Sequence, residues 1–186
     1  MHPYYKKKKN CLRRNMYHML KYIKPEIEKY TRISYDEIFD EVWSYYLVVL
    51  LPFFPYLGGD KNSETKNFTE AYSLVAMGEV LRKYSVNSEQ RGELITRCHE
   101  KMYKTLPFQQ EKTLRRIFVY PNRDDENHVC PIDDFAKERG YSTYMRYLCN
   151  LNYVVFGAFG IPVYRTHTCL IGANYCESDL RERYYA

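Results

Sequence analysis

The sequence predicts an α+β fold, in which an N-terminal helical layer packs on a small antiparallel β-sheet with a C-terminal β-hairpin. Apolar residues recur at helical spacing through the first 105 residues. After Pro107, β-branched and aromatic residues gather in short runs, and two such runs near the C-terminus flank a turn signal at 172–173. With 186 residues, 45% of them hydrophobic, the chain is long enough to bury one core.

Positive charge is concentrated near the N-terminus. The chain has 28 Lys and Arg against 23 Asp and Glu, and the run Lys6 to Lys9, followed by Arg13 and Arg14, accounts for the excess. A solvated or frayed end is the simplest interpretation of this run, and an anionic-lipid or nucleic-acid contact is the alternative. We therefore expect a basic arm with a first helix over 1–33 and a single domain over 34–186.

Three further helices are predicted before residue 106. Ser34 is the expected N-cap of the first, and Pro52 and Pro55 should end it. The second is expected over 65–84 and the third over 88–105. The buried face of the first follows the i, i+3, i+4, i+7 spacing and consists of Tyr35, Ile38, Phe39, Val42, Tyr45, Tyr46 and Val49.

The second part of the chain predicts a mixture of strands and helices. Strands are expected at 113–121, which stops at a proline, and at 125–131 as a short returning strand. A short helix should end at Gly140, and a longer one, from 142 to 160, should be stopped by Gly160 and Pro162. The two final strands are expected at 163–171 and 174–184.

The final pair of strands raises the question of a reactive site. A two-residue turn at 172–173 would place Cys169 directly opposite Cys176. Arg165 and His167 would then lie on the same face of the hairpin as Cys176. A three-residue loop would shift the register and remove this arrangement. The simpler alternative is that the cysteines are silent core thiols, which is their commonest role.

The compartment and the metal content follow from what the sequence lacks. The N-terminus shows no apolar signal segment, and the longest apolar run, broken by Pro52 and Pro55, is shorter than the roughly 20 residues that span a bilayer. We expect a cytoplasmic protein without a membrane span, whose six cysteines are mostly thiols. The Cys and His spacings include no Cys-x-x-Cys knuckle, so no metal is expected. The sequence lacks the pattern of interleaved basic and aromatic residues that is typical of a nucleic-acid-binding groove, so no nucleic-acid partner is expected.

Four segments, in order, carry a resemblance to a known family. They are a Pro-Tyr-x-Gly-Gly segment at 55–59 ahead of a long helix, Cys130-Pro131, Cys149-x-x-Asn152, and Arg165-Thr166-His167-Thr168 with Gly172 and Cys176 after it. This order resembles the L-2-amino-thiazoline-4-carboxylic acid hydrolase family. Two positions depart from the family pattern, which has aspartate at 152 and aspartate-phenylalanine at 177–178, where this chain has Asn152 and Glu177-Ser178.

The departures bear on acid–base chemistry. Asparagine has no group that titrates near neutral pH, so Asn152 cannot act as a general base. If the family aspartate is catalytic, its role has passed to another group, of which Glu177 is the nearest to the closing motif, or the chemistry has changed. The departures therefore favour, as an alternative, a small-molecule binding or sensor domain that keeps the family pocket.

The resemblance implies a hydrolase-like domain that opens a C–N or C–S bonded cyclic amidine-type or cysteine-derived substrate through a cysteine thiol, without a cofactor. Arg165 would bind the substrate carboxylate as a bidentate fork. Cys176, beside Arg165 and His167 if the hairpin register holds, is the expected nucleophile, with Cys130 as its rival and Cys149 as a further candidate. The other expected substrate-binding residues are Thr166, Thr168, Asn152, His167, Gly58 and Gly59. Further copies of this chain are an additional expected partner, and a protein that binds partners through the basic arm is a third alternative.

Overall fold

Helices account for all the regular secondary structure in the residues that the structure describes, which are 1–105, 130–158 and Thr168. This computed structural model divides into two compact units, Met1–Cys98 and His99–Ala186. The helices within 1–105 are α1 (Pro3–Leu20), α2 (Lys24–Thr31), α3 (Tyr35–Tyr45), α4 (Ser63–Lys83) and α5 (Ser88–Lys104). The helices within 130–158 are α6 (Pro131–Arg139) and α7 (Met145–Ala158).

Short irregular turns join several of these helices. A 3₁₀ turn, Lys21–Ile23, links α1 to α2, and another, Ser142–Tyr144, leads into α7. A π turn, Tyr46–Leu50, and a 3₁₀ turn, Leu51–Phe53, follow α3 directly. None of the helices in the described ranges is both long and apolar enough to cross a membrane.

Side chains just outside the helices explain where several of them begin and end. Ser34 caps α3 as predicted, because its hydroxyl oxygen accepts the backbone N–H of Glu37 at 3.4 Å. Asn62 caps α4 in the same way, accepting the N–H of Glu64 at 2.8 Å. Gly140 ends α6 with φ +77, a left-handed conformation that glycine adopts without steric cost.

The π turn after α3 corrects one part of the predicted buried face. Ile38, Phe39 and Val42 are buried as predicted, but Val49 is 40% exposed and Leu50 takes its place in the core. A π turn adds a residue to the turn, so the apolar spacing slips by one position relative to a regular α-helix. The predicted face is therefore confirmed at Tyr35 and Tyr46 as well, while Tyr45 is half-buried and the prediction is wrong at Val49.

An aromatic cluster forms the centre of the first unit. Phe54, at the end of the 3₁₀ turn, is 4% exposed and contacts four other rings. The distances between ring centroids are 5.6 Å to Tyr5, 5.4 Å to Tyr46, 4.8 Å to Phe68 and 5.7 Å to Tyr72. Since these rings come from α1, the π turn and α4, Phe54 ties three segments of the unit together.

The basic part of the N-terminal segment 1–33 is a packed helix and not a free end. α1 carries the Lys6 to Lys9 run on its exposed and half-exposed positions, and it buries Tyr5, Met16, Met19 and Leu20. The predicted division into 1–33 and a single domain over 34–186 stays a prediction. α5 passes from the first compact unit into the second.

The predicted α+β fold with a small antiparallel sheet is wrong, because the described ranges hold helices and turns and no strand. Cys130, expected to lie in a returning strand, is the N-cap of α6, and Thr168 lies in neither helix nor strand. In the first unit the helical layer buries its apolar faces against itself: α4 is buried from 71 to 78 and packs on α1, α3 and the π turn. The strands and hairpin predicted at 113–121, 163–171 and 174–184 fall outside the described residues, apart from Thr168.

Candidate functional site

The hairpin part of the predicted site lies outside the described residues. This applies to the expected nucleophile Cys176, its neighbour Glu177, the expected carboxylate ligand Arg165, and the two residues after it, Thr166 and His167. The expected opposition of Cys169 and Cys176 stays a prediction for the same reason. Thr168, the one described residue of this segment, is half-buried.

Cys130 begins α6 and is the nucleophile candidate with the clearest local setting. It is the N-cap residue, with φ −78° and ψ 106°, and its carbonyl oxygen accepts the N–H of Asp134 at 3.0 Å. Pro131 at the first helical position fixes this start, since proline has the φ that a helix requires and no N–H to leave unpaired. Cys130 is half-buried. A helix N-terminus carries partial positive charge, which favours the thiolate form of a cysteine placed there.

Asp133 lies three residues after Cys130 on the same helix and was not among the predicted site residues. It is 4% exposed and forms an ion pair of 2.6 Å with Lys137, one helical turn further on. Cys130 and Asp133 occupy the N-cap and N3 positions, whose side chains adjoin at a helix start. The signal that could have identified Asp133 is the Cys-x-x-Asp spacing immediately around a helix-starting proline.

Cys149 and Asn152 both lie on α7, three residues apart, so they share one side of that helix as predicted. The Cys149 side chain is half-buried. The side chain of Asn152 is not among those that the structure describes. The second unit therefore has two cysteines that are each followed, three residues later, by a polar residue on a helix. Only the pair at the start of α6, Cys130 and Asp133, includes a carboxylate.

The Gly58 and Gly59 loop is held by hydrogen bonds within the first unit. Both glycines have positive φ, +113° and +91°. The Tyr5 hydroxyl donates to the carbonyl oxygen of Pro55 at 2.8 Å, and the Asn62 amide donates to the carbonyl oxygen of Leu57. A Cβ on Gly58 would approach Asn62 Nδ2 to 2.7 Å. The loop conformation thus requires glycine at these positions without any ligand, and the expected role of Gly58 and Gly59 in substrate binding stays a prediction.

Charged and aromatic groups of α1 reinforce this loop. Asp60 accepts a hydrogen bond from the Tyr4 hydroxyl at 2.7 Å and forms an ion pair with Lys8. The hydrogen bond from Lys8 holds the pKa of Asp60 below its ordinary value. Burial raises the pKa of Tyr5 to about 12. The polar groups around the loop are therefore engaged in holding α1 against it.

Two other described cysteines, Cys11 and Cys98, provide a comparison for the candidate nucleophiles. All four described cysteines are thiols rather than disulfides. Cys98 is buried and donates to the carbonyl oxygen of Met19 at 3.3 Å, whereas Cys11 is exposed. In the part of the chain that the structure describes, no three or more Cys, His, Asp or Glu side chains converge as metal ligands. The expectation of a metal-free site stays a prediction.

Among the described residues, the start of α6 is the candidate site. A cysteine at a helix N-terminus, a buried carboxylate and a lysine follow one another within two turns. Comparisons of the chain with protein-family models, with curated proteins and with solved structures found no match. The functional argument consequently depends on the chemistry of these residues and on the resemblance in the sequence.

Proposed function

We propose that the chain is a cytoplasmic hydrolase that opens a small cyclic amidine-type or cysteine-derived substrate, carrying a carboxylate, at a C–N or C–S bond through a cysteine thiol. The observation that supports this proposal most is the placement of Cys130 at the N-cap of α6, one turn before a buried carboxylate. The sequence resemblance supplies the substrate class. No cofactor takes part in the proposed reaction.

The proposed reaction proceeds in two steps. The thiolate of Cys130 attacks the amidine carbon of the ring, and a carbon–sulfur bond to the protein forms as the ring bond to sulfur or nitrogen breaks. The departing ring atom takes the proton that the Cys130 thiol gave up on becoming a thiolate. Water then adds to the same carbon, and the bond to Cys130 breaks to release the opened product and the thiol. The net change is the addition of one water molecule to the substrate.

Asp133 is the group that we propose to manage the proton. Asn152 has no titrating group near neutral pH, and the carboxylate of Asp133 occupies the corresponding position three residues after a cysteine. The ion pair with Lys137 orients this carboxylate. Arg165 would bind the substrate carboxylate, as the resemblance implies. Cys176 and Cys149 are the rival nucleophiles.

A binding or sensor domain is the second candidate function. The specific observation in its favour is that the family pattern has aspartates at two positions where this chain has Asn152 and Glu177. A domain of this kind would bind the same carboxylate-bearing ligand and leave it intact. The two functions therefore differ in turnover and share ligand binding.

Single cysteine variants separate these proposals. We expect the purified protein to hydrolyse 2-aminothiazoline-4-carboxylate, Cys130→Ser to abolish turnover, and Cys11→Ser, which changes an exposed thiol on α1, to leave it unchanged. Loss of turnover in Cys176→Ser or Cys149→Ser with full activity in Cys130→Ser would transfer the nucleophile to that residue. Calorimetric binding of this compound without turnover would favour the sensor domain over the hydrolase.

A further inference from the structure

Four large apolar side chains are exposed in the segment that follows α3. Val48 is 69% exposed, Val49 40%, Phe53 52% and Tyr56 54%. Single exposed apolar residues are common, but four within nine residues form a group. The π turn produces part of it, since the register shift turns Val48 and Val49 outward while Leu50 enters the core.

The lysine-rich start of α1 lies against this same segment. The Tyr5 hydroxyl donates to the carbonyl oxygen of Pro55, and the rings of His2 and Tyr56 stack with centroids 4.6 Å apart. Tyr4 also contacts Tyr56, at 5.8 Å between centroids. These contacts therefore place the 55–56 part of the segment beside the lysine-rich start of α1.

The charge at this end is positive and largely uncompensated. Lys8 forms an ion pair with Asp60, which neutralises the acidic residue of the neighbouring loop. Among the described residues, no carboxylate forms an ion pair with Lys6, Lys7 or Lys9. Lys6 and Lys7 are exposed. We call the surface made by Lys6, Lys7, Lys9, Val48, Val49, Phe53 and Tyr56 the basic–apolar end.

We propose that the basic–apolar end is a docking surface for an anionic lipid bilayer, on which the protein rests without crossing it. Lysines are attracted to the negative surface potential of such a bilayer, and Val, Phe and Tyr side chains partition into its interface. Both components are present in the first unit, and Tyr56 lies against the start of the lysine-bearing helix; charge and apolar side chains together are the combination that stable peripheral binding requires. This inference is independent of the proposed hydrolase activity.

Two other occupants fit the surface less well. A nucleic acid would use the lysines for its phosphates but has no use for exposed valines. A second copy of this chain would cover the apolar residues, but a symmetric interface would bring two Lys6 to Lys9 runs towards each other. The bilayer is the partner that satisfies the charge and the apolar residues together.

Vesicle flotation with the full chain tests the proposal. We expect binding to vesicles of phosphatidylserine and phosphatidylcholine in equal parts, and none to phosphatidylcholine alone. Each lysine near an anionic surface contributes about fivefold to the affinity, so Lys6→Gln with Lys7→Gln should weaken binding about thirtyfold. The matched control is Lys21→Gln with Lys29→Gln, two exposed lysines beyond the other end of α1, about 22 Å along the helix from Lys6 at 1.5 Å per residue. The control should bind as the wild type does.

An apolar variant completes the design. Val48→Ser with Phe53→Ser removes exposed side chains and should weaken vesicle binding while leaving the thermal unfolding midpoint unchanged. Absence of binding to the anionic vesicles, or equal losses in the two lysine pairs, would overturn the proposal. Two other results would also overturn it. One is binding to single-stranded DNA that is tighter than binding to the anionic vesicles and is unchanged in the serine variant. The other is a dimer of the wild type that forms without lipid and is lost in the serine variant, as measured by sedimentation.

Discussion

The loop at 55–59 and the helix start at Cys130 differ in what their polar groups bind. In the loop, the Pro55 carbonyl accepts the Tyr5 hydroxyl and the Leu57 carbonyl accepts the Asn62 amide, so hydrogen bonds close the loop on its own unit. At the start of α6, the backbone of Cys130 is used for the helix, while its half-buried thiol adds no hydrogen bond to cap that helix.

This difference separates a motif with a structural explanation from one for which we propose a reactive role. Both segments belong to the sequence pattern on which the resemblance to a hydrolase family depends. The loop shows why its glycines are required without any ligand, because Gly58 and Gly59 have backbone angles that other residues rarely adopt. Helix capping does not explain the cysteine at the start of α6, since Ser, Thr, Asp and Asn cap helices better.

The largest effect that we expect concerns the neighbouring phenylalanines of the loop segment. Phe54→Ala should lower the free energy of unfolding by about 3–5 kcal/mol, because Phe54 is buried against four rings. Phe53→Ala is the matched control, and since Phe53 is 52% exposed the change should stay within about 0.5 kcal/mol. Urea unfolding measures both values. Equal costs in the two variants would show that this segment does not anchor the unit.

A pair of glycine variants sharpens the contrast between the two segments. Gly140→Ala places alanine at φ +77 with open space around its Cβ, so only backbone strain of about 1–2 kcal/mol is expected. Gly58→Ala adds a close approach to Asn62 Nδ2, and displacing that amide sacrifices its hydrogen bond to Leu57, worth about 1 kcal/mol more. Chemical denaturation should therefore rank Gly58→Ala as the more destabilising change, and the reverse order would contradict the structural account of the loop.

The smallest effect is a pH dependence of the contact between α1 and the loop. Burial raises the pKa of Tyr5 from 10.0 to about 12, so the native state holds this proton more tightly than the unfolded chain does. The corresponding stability is complete below pH 10.0 and declines as the pH rises towards about 12. In alkaline urea titrations, Tyr5→Phe should flatten this decline. Identical slopes in the variant and the wild type would contradict the prediction.

Local sequence signals predicted most of the described helices. Ser34 caps the start of α3 and Gly140 ends α6, as the hydroxyl of serine and the backbone freedom of glycine predicted. The helix predicted over 65–84 spans Ser63–Lys83, and the one over 88–105 spans Ser88–Lys104. Such signals succeed because capping and apolar periodicity act within a few residues of one another.

The errors arose where the outcome depends on contacts distant in sequence. The exposure of Val49 follows from the π turn, which regular 3.6-residue spacing cannot anticipate. The sheet was inferred from β-branched residues, whose preference is weak and depends on the packing around them. For the site, the Cys-x-x-Asp spacing of Cys130 and Asp133 is visible in the sequence, but the burial of Asp133 and its ion pair with Lys137 are seen only in the structure.

The most direct test of the central claim, that Cys130 is an activated thiol, is its rate of alkylation in the native protein. Iodoacetamide labelling followed by peptide mass spectrometry reports each cysteine separately, and the chain supplies two internal standards, the exposed Cys11 and the buried Cys98. At neutral pH we expect Cys130 to be labelled faster than Cys11 in spite of its lower exposure, and Cys98 to stay unlabelled until the protein unfolds. Labelling of Cys130 no faster than that of Cys11 across the pH range would contradict the claim.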